Sequence, residues 1–453
     1  MASTYLTRTS SSPTNALKWT YSFWVKISSL STSDDTFLLD FNTDDNNRSN
    51  IGFNGSQQLV VYEKVSGSTS QLFTSNRLFR DSSAWMHIVV SCDRTLSTAG
   101  DRTKIYINNV QETSFASQTN PAQNTTGIIN TAVSTLIGKY SQNTYYFDGS
   151  LTHVHFVDGT AYDASTFGET DSTSGIWKPK TAPSVTYGNN GFFLKFENSG
   201  AMGTDSSGNS NTFTVGGGTL TQNVDTPSNN FATLNPLNAY YTNSTFSNGN
   251  LTFASGSSYS GTTANILLNT GKWYWEVKPI SKTGDTDNYV IGLQGQDSTA
   301  TNQFEGARTY GYMIYGTSGL IFNNNDGGAT YAAAYTAGDI IGVALDCTNN
   351  KLYFSKNGAW SNGSGAWSSS TFDAAVGAKT ITAPASTTLG GYYPSQTFWS
   401  GSGGTFSLNF GQGFFGTTAV ASANADANGN GIMEYPVPSG FYTLNTKNIK
   451  EFG

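Results

Sequence analysis

Several stretches rich in Ser, Thr, Asn and Gly carry aromatic side chains, and these aromatics are the residues of this chain best suited to bind a ligand. A sugar binds by stacking an apolar face on an aromatic ring while short polar side chains hydrogen-bond to its hydroxyls. We predict a ligand-binding site from the following loop aromatics: Tyr145, Tyr146, Trp360, Trp367, Tyr392, Tyr393 and Trp399. The alternative is that each ring packs against its own loop or a neighbouring subunit.

Carboxylates are the next residues to consider, because glycoside hydrolysis needs two of them flanking the scissile bond. The nearest pair, Glu169 and Asp171, stands in a Ser/Thr-rich stretch with no third acid nearby. The sequence also contains no Gly-x-Ser-x-Gly elbow and no paired Cys/His arrangement. We therefore predict no catalytic residues and no enzymatic activity.

Histidines raise the question of a transition metal, and all three lie in the first half of the chain. His153 and His155 share a face of one predicted strand, and His87 lies on another, so a zinc site between two strands is one interpretation. Surface or packing imidazoles are the alternative, which we favour. We predict no metal ligands.

Two hairpins with a similar sequence pattern belong to the framework that must position the candidate aromatics, carboxylates and histidines. In each, at 85–109 and 338–358, an apolar strand ends in Asp, crosses a polar turn and returns with a Tyr between apolar residues. Apolar side chains alternate along the first strand of both, and this period of two indicates a strand with one buried face. We predict an all-β chain of two tandem β-sandwich, or jelly-roll, domains.

The predicted domain boundary follows from a change of composition. Residues 1–235 form the first domain, with its core at about 15–165 and extra strands at 190–216. Residues 236–453 form the second domain and a C-terminal tail. Gly, Asn and Pro accumulate between them, which is typical of a linker.

Composition restricts the class of protein. The 453 residues carry a net charge of −7, with 12% charged and 13% aromatic residues. Disordered chains have more charge and fewer aromatics, and nucleic-acid binders cluster Lys and Arg, so we predict folded domains and no nucleic-acid partner. We also expect no membrane insertion, no signal peptide, and free thiols at Cys92 and Cys347.

The first domain resembles the LamG, or concanavalin A-like, lectin superfamily over most of residues 1–165. The matching motifs are Phe-Trp-Val at 23–25, Trp-Met-His-Ile-Val-Val at 85–90, Ile-Tyr-Ile-Asn-Asn at 105–109, Ile-Gly at 137–138 and Phe-Asp-Gly-Ser-Leu at 147–151. The superfamily usually has Gly where this chain has Asn109. Asparagine tolerates the left-handed conformation that such a position favours.

That resemblance bears on calcium, because LamG relatives often hold this ion with loop carboxylates and carbonyls. The candidate carboxylates are Asp34, Asp35, Asp44, Asp45 and Asp148. Turns favour Asp for backbone reasons as well. We predict no cofactor and keep calcium in the first domain as the alternative.

The second domain resembles a SPRY domain over about residues 246–415. The motifs are Gly-Lys-Trp-Tyr-Trp-Glu-Val at 271–277, Ile-Gly-Leu at 291–293, Gly-Asp-Ile-Ile-Gly-Val at 338–343, Leu-Tyr-Phe at 352–354, Lys-Asn-Gly at 356–358 and Phe-Ser-Leu-Asn-Phe-Gly at 406–411. The resemblance implies a concanavalin-like pair of sheets that binds partners through loops and has no catalytic apparatus.

The whole chain is similar to structural proteins of tailed bacteriophages. The motifs that carry this similarity are Trp-Lys-Pro-Lys at 177–180, Asn-Gly-Phe-Phe-Leu-Lys-Phe at 190–196, Asp-Ser-Ser-Gly-Asn at 205–209, Phe-Ala-Thr-Leu-Asn-Pro at 231–236 and Pro-Ser-Gly-Phe-Tyr-Thr-Leu-Asn at 438–445. It implies a virion component that is assembled in the host cytoplasm and becomes extracellular after lysis.

These observations lead to one functional hypothesis and several alternatives. We expect a non-catalytic virion surface or tail fibre protein that binds host-surface glycans or protein receptors through loops of its sandwiches. Other virion proteins are expected partners, and a homo-oligomer, with a trimer as the guess, follows from the symmetry of phage appendages. The main alternative is capsid decoration or a tail structural role without receptor binding. A bacterial adhesin and a polysaccharide-degrading enzyme are further alternatives.

Overall fold

The computed structural model describes residues 3–28, 35–142, 145–238, 244–256, 259–284, 287–296, 304–399 and 403–453. The chain divides into two compact units near residues 222–229. Met1–Gln222 and Thr226–Ser228 belong to the first unit, and Asn223–Asp225 and Asn229–Gly453 to the second.

Strands dominate the first unit, because polar and apolar side chains alternate along most of its segments. They are β1 (Tyr5–Thr9), β2 (Lys18–Ile27), β3 (Thr36–Asp44), β4 (Asn47–Phe53), β5 (Gln58–Val65), β6 (Ser68–Leu78), β7 (Met86–Asp93), β8 (Thr103–Ile107), β9 (Val110–Glu112), β10 (Phe115–Thr119), β11 (Ser134–Ile137), β12 (Gly149–Asp158), β13 (Gly168–Thr170), β14 (Trp177–Pro179), β15 (Phe192–Leu194) and β16 (Thr214–Gly216). One sheet has the order β10-β6-β5-β4-β3-β11-β1-β16, and the other has the order β15-β12-β2-β7-β8-β9. β13 and β14 form a separate hairpin.

The core of the first unit is built from the inner faces of the two large sheets. The hairpin predicted at 85–109 is the β7–β8 pair, and Ile88, Val90 and Cys92 lie in the core, as the alternation predicts. Burial of one such aliphatic side chain stabilises a fold by about 1.5–3 kcal/mol. Cys92 is a free, buried thiol.

A buried ion pair holds the loops at one end of this core. The guanidinium of Arg94 lies 2.6 Å from Glu63 Oε2, and both side chains are almost completely buried. Glu63 Oε1 accepts hydrogen bonds from the backbone N–H groups of Ile128 and Ile129, at 2.8 and 3.3 Å. A Cβ at Gly127 would lie 2.0 Å from Glu63 Oε1, so only glycine fits beside this carboxylate.

The second unit repeats the two-sheet plan. Its strands are β17 (Ser244–Ser247), β18 (Thr252–Ser255), β19 (Gly261–Thr263), β20 (Lys272–Lys282), β21 (Tyr289–Gln294), β22 (Gly311–Tyr315), β23 (Ile321–Phe322), β24 (Ile341–Asp346), β25 (Lys351–Lys356), β26 (Ala359–Ser361), β27 (Trp367–Ser369), β28 (Lys379–Thr380), β29 (Tyr393–Phe398), β30 (Gly404–Asn409), β31 (Phe414–Phe415), β32 (Thr418–Ala419) and β33 (Tyr442–Thr443). The larger sheet has the order β17-β18-β30-β20-β24-β25-β26-β27, and the smaller has the order β19-β29-β21-β22-β23. The predicted all-β class with two sandwich domains is confirmed.

The C-terminal segment of the second unit is anchored to its large sheet. Glu276 on β20 is fully buried and accepts hydrogen bonds from the backbone N–H groups of Glu434 and Tyr435, at 3.0 and 2.8 Å. Burial nevertheless raises the pKa of Glu276 to about 7. Met433 and Phe441 pack on the side chains of β20, β24 and β25 that face away from the main core.

Three local features differ from the sequence-based expectation. The sequence pattern of residues 246–253 predicts a single strand, but they belong to two strands, β17 and β18, because Asn248 and Asn250 take left-handed conformations and turn the chain. Residues 229–235, which we assigned to the first domain, pack in the second unit, where Leu234 is fully buried. The short helix α1 (Thr446–Phe452) was not expected and starts at Asn445, whose side chain accepts a hydrogen bond from Asn448 N. None of the helices in the described part of the chain has the length and apolar character needed to span a membrane.

Candidate functional site

The outer face of the eight-stranded sheet in the first unit carries a row of tyrosines. Leu59 and Val61 of β5 lie in the core, so the alternating Tyr62 points outward. Leu6 of β1 is likewise in the core, so Tyr5 points outward. We define the tyrosine surface as the half-buried rings of Tyr5, Tyr62 and Tyr146 together with the cations Arg48 and Lys139. Tyr140, which is only 8% exposed, lies beside Arg48 and does not offer a face to a ligand.

One end of the tyrosine surface is organised around Lys139, directly after β11. Its ammonium nitrogen lies 4.7 Å from the ring centroid of Tyr5 and 5.7 Å from that of Tyr146. The two rings are 6.3 Å apart. A Cβ at Gly216, the β16 partner of Tyr5, would lie 2.5 Å from the Tyr5 ring, so this glycine makes room for the tyrosine.

The other end is organised around Arg48 on β4. Its guanidinium carbon lies 5.6 Å from the ring centroid of Tyr140 and 6.0 Å from that of Tyr62. Each cation–ring contact at such a site is worth about 0.5–1 kcal/mol. Tyr140 also stacks on Phe37, with 4.5 Å between the ring centroids. The rings are therefore held in place by neighbours on the sheet.

A buried carboxyl group lies beneath this surface. Asp40 on β3 is in register with Asn50 on β4, which is in register with Tyr62, so the three side chains lie in one row across the sheet. Asp40 is fully buried and accepts a 2.7 Å hydrogen bond from Ser141 N. Burial raises its pKa to about 6, although Ser141, Arg48 and Lys139 act in the opposite direction.

The seven predicted aromatics do not form a single site. Tyr146 belongs to the tyrosine surface, and Tyr145 lies half-buried beside it, where its carbonyl accepts a hydrogen bond from Tyr140 N. Two predictions of exposed loop aromatics are wrong. Tyr392 is 0% exposed, and Trp360 is 8% exposed and packs in a cluster with Tyr274. Burial prevents either ring from stacking on a ligand.

The remaining three predicted aromatics are half-buried in the second unit. Trp367 donates a hydrogen bond to the carbonyl of Ala333 at 2.9 Å. Trp399 stacks on Phe304 at 3.7 Å and lies 5.0 Å from the Tyr315 ring, so much of its surface contacts its own unit. Tyr393 is in register with Gln294 on β21. The contacts of Trp367 and Trp399 are therefore those of side chains packed within the second unit.

The histidines are engaged in packing on the outer face of the six-stranded sheet. His87 stacks on Trp24 at 4.7 Å, accepts a hydrogen bond from Trp177 Nε1 and bonds Ser22 through its other ring nitrogen. Burial lowers the pKa of His87 to about 3, that of His153 to about 4, and that of His155 well below its usual range. These imidazoles are therefore neutral at physiological pH.

Three of the carboxylates considered for calcium, Asp35, Asp44 and Asp45, have protein partners. Asp35 and Asp44 accept backbone N–H groups of Gly55 and Asn46, at 3.0 and 2.7 Å. Asp45 forms an ion pair with Arg48. Asp34 lies outside the described residues, and burial raises the pKa of Asp148. In the part of the chain that is described, no group of three or more His, Cys, Asp or Glu is placed to hold a metal.

The acids considered for catalysis form an exposed ion cluster. Lys178 Nζ lies 2.8 Å from Asp171 and 3.6 Å from Glu169. The hydrogen bond from Lys178 holds the pKa of Asp171 well below its usual range. A general acid needs a raised pKa, so this pair does not have the electrostatics of a glycosidase site.

Comparison with known proteins assigns a family to each unit. Residues 2–165 match the concanavalin A-like lectin/glucanases superfamily, and residues 272–388 match the SPRY domain. Ran-binding protein 9 of Danio rerio is 36% identical over 89 residues, and the Ran-binding proteins 9/10 homolog of Drosophila melanogaster is 35% identical over 88. Each alignment covers 19% of this chain but only 14% and 9%, respectively, of the relative's own length.

Two solved structures are also similar. The SPRY domain of human HERC1 has a TM-score of 0.29 and 18% identity, over 39% of this chain and 96% of that one. A putative carbohydrate-binding protein from Bacteroides ovatus has a TM-score of 0.33 and 13% identity, over 47% of this chain and 56% of that one. Domains of both families are typically binding modules for proteins or carbohydrates. The family matches identify residues 2–165 of this chain as a concanavalin A-like domain and residues 272–388 as a SPRY domain.

Proposed function

We propose that this chain is a non-catalytic recognition protein of a bacteriophage virion that binds glycans on the host surface. The observation that carries the proposal is the tyrosine surface. Tyr5, Tyr62 and Tyr146 are half-buried, so each ring is held by its neighbours while part of it remains open to solvent. Fixed aromatic rings beside polar and charged groups are the arrangement that sugars require.

Binding is a better explanation of this surface than hydrolysis. Asp40 is fully buried, so its carboxyl group cannot reach a glycosidic bond held above the rings. Asp45, the exposed acid nearby, is paired with Arg48 at 2.9 Å. A glycosidase needs two carboxyl groups on either side of the bond that it cleaves.

The phage setting is supported by the sequence motifs described above and by a composition with few charged and many aromatic residues. A virion presents many copies of a surface protein, so weak binding at each site adds up to strong attachment. The SPRY domain supports a second contact, with a protein. The relatives described above are named Ran-binding proteins, which favours a protein as the partner in this second contact.

Replacing Tyr62 with alanine should weaken binding to a bacterial surface polysaccharide about tenfold, because one stacking platform is lost. The measurement is binding of the full chain to an array of such polysaccharides. Tyr106→Ala is the matched control, since Tyr106 is also half-buried but lies on β8 of the other sheet. Melting curves verify that both variants fold.

Each outcome of this experiment bears on the proposal. A loss of binding with Tyr62→Ala but not with Tyr106→Ala supports it. Equal binding by both variants would place recognition elsewhere. A chain that binds no polysaccharide, and whose tyrosine surface is buried between subunits in purified particles, would have the architectural role instead.

A further inference from the structure

We propose that the ligand of the tyrosine surface is an acidic saccharide chain, whose anionic groups pair with Arg48 and Lys139 while its sugar rings lie on the tyrosines. This inference rests on the proposed function, since it names the class of glycan that the same surface binds.

The cations of the first unit differ in whether a carboxylate pairs with them. The protein as a whole is acidic, with a net charge of −7. Four lysines elsewhere in the first unit are paired with carboxylates: Lys18 with Asp93, Lys104 with Asp101, Lys178 with Asp171 and Lys195 with Glu197. Lys64, Lys139 and Lys180 have no ion-pair partner among the residues that the structure describes. What distinguishes Lys139 is that it lies over the rings of Tyr5 and Tyr146.

The acids near Arg48 and Lys139 leave both cations available to an anionic ligand. Burial raises the pKa of Asp40, while Arg48 and Lys139 both lower it through their positive charge. The Asp40 carboxyl group is nevertheless fully buried and accepts a hydrogen bond from Ser141 N. Asp45 pairs with Arg48, but its side chain is 73% exposed. An exposed ion pair of this kind contributes about 0–1 kcal/mol, so an anion on the ligand can displace Asp45 from Arg48.

The spacing of Arg48 and Lys139 matches a ligand with several sugar units. Arg48 lies on β4, and Lys139 directly follows β11, with β3 between these two strands. Neighbouring strands are about 4.8 Å apart, so the strands that present the cations are about 10 Å apart. Arg48 lies beside the half-buried ring of Tyr62, and Lys139 lies over the half-buried rings of Tyr5 and Tyr146. This alternation of rings and cations suits a chain of several sugars with more than one negative charge.

The test compares acidic saccharides with their methyl esters, which keep the sugar rings and lose the charge. The probes are hexuronate and sialate oligosaccharides, each with its ester, and neutral glucans. We expect the full chain to bind the acids at least about tenfold more tightly than the esters. Binding should also weaken in about 1 M salt, where charges are screened beyond about 3 Å.

Variants tie the charge preference to the two cations. Arg48→Gln combined with Lys139→Gln should remove the preference for the acid over its ester. Lys104→Gln, which removes a half-exposed cation from β8, should keep it. Unchanged melting temperatures rule out misfolding as the cause, and the salt dependence of the unmodified chain gives a readout that needs no variant.

The outcomes separate this inference from the proposed function. A preference for the acids that disappears in the double variant supports both. Tyr62-dependent binding of esters or neutral glucans that is as tight as binding of the acids would overturn the inference and leave glycan recognition standing. A lack of binding to every saccharide would contradict both.

Discussion

Replacing Glu63 with alanine should destabilise the first unit by about 3–5 kcal/mol, because it leaves a buried charge without a partner. The guanidinium of Arg94 is 1% exposed and lies 2.6 Å from Glu63 Oε2. The backbone N–H groups of Ile128 and Ile129 would lose their acceptor in the same substitution. The total is a large fraction of the stability of a typical domain.

Urea titration of the full chain, read by hydrogen exchange of peptides from β5 and β7, gives the unfolding free energy of the first unit alone. Asp101→Ala is the matched control. It removes an ion pair whose side chains are 37% and 52% exposed, and such pairs contribute less than about 1 kcal/mol. A change below about 1 kcal/mol for Glu63→Ala would show that the buried pair does not hold this end of the core.

Acidification should shift the stabilities of the two units in opposite directions. In the first unit, the lowered pKa values of His87, His153 and His155 mean that unfolding takes up protons below about pH 6.5. Asp40 opposes them, because its raised pKa makes the folded state take up a proton near pH 6. Asp148 acts in the same direction as Asp40, because burial raises its pKa as well. The three imidazoles outweigh these two carboxyl groups, so the net effect between about pH 6.5 and about pH 5 is a loss on the order of a few kcal/mol.

In the second unit the sign is reversed. All three histidines of the chain lie in the first unit, and the pKa of Glu276 is raised to about 7 in the folded state. The stability linked to Glu276 is therefore present at low pH and lost as pH rises through 7. Thermal unfolding followed by hydrogen exchange from about pH 7 to about pH 5 should lower the midpoint of the first unit and raise that of the second. Parallel shifts would contradict these protonation states.

The fold was largely predictable because it depends on alternation along strands. The β7–β8 and β24–β25 hairpins follow directly from polar and apolar residues in a period of two. The helix α1 was not predictable from periodicity, because seven residues are only two turns. The split at 248–251 depends on left-handed asparagines, whose conformation a pattern of apolar residues does not reveal.

The site was predictable only in part. Tyr146 stands in a polar segment, so composition alone pointed to it. Tyr62 lies within a strand, and its importance depends on which sheet covers the other face of that strand. Conversely, Tyr392 sits between polar residues but inserts its ring into the core and donates a hydrogen bond from its hydroxyl to the carbonyl of Thr382. Sequence reasoning therefore identified the type of side chain in the proposed site better than its location.

If the proposed function is correct, the ligand binds at the tyrosine surface. Hydrogen exchange of the full chain, with and without a polysaccharide that it binds on the array, measures which segments the ligand protects. We predict slower exchange in peptides from 47–65 and 135–142, which contain Arg48, Tyr62, Lys139 and Tyr140. Protection confined to the second unit, with these two segments unchanged, would contradict the proposal that the ligand binds at the tyrosine surface.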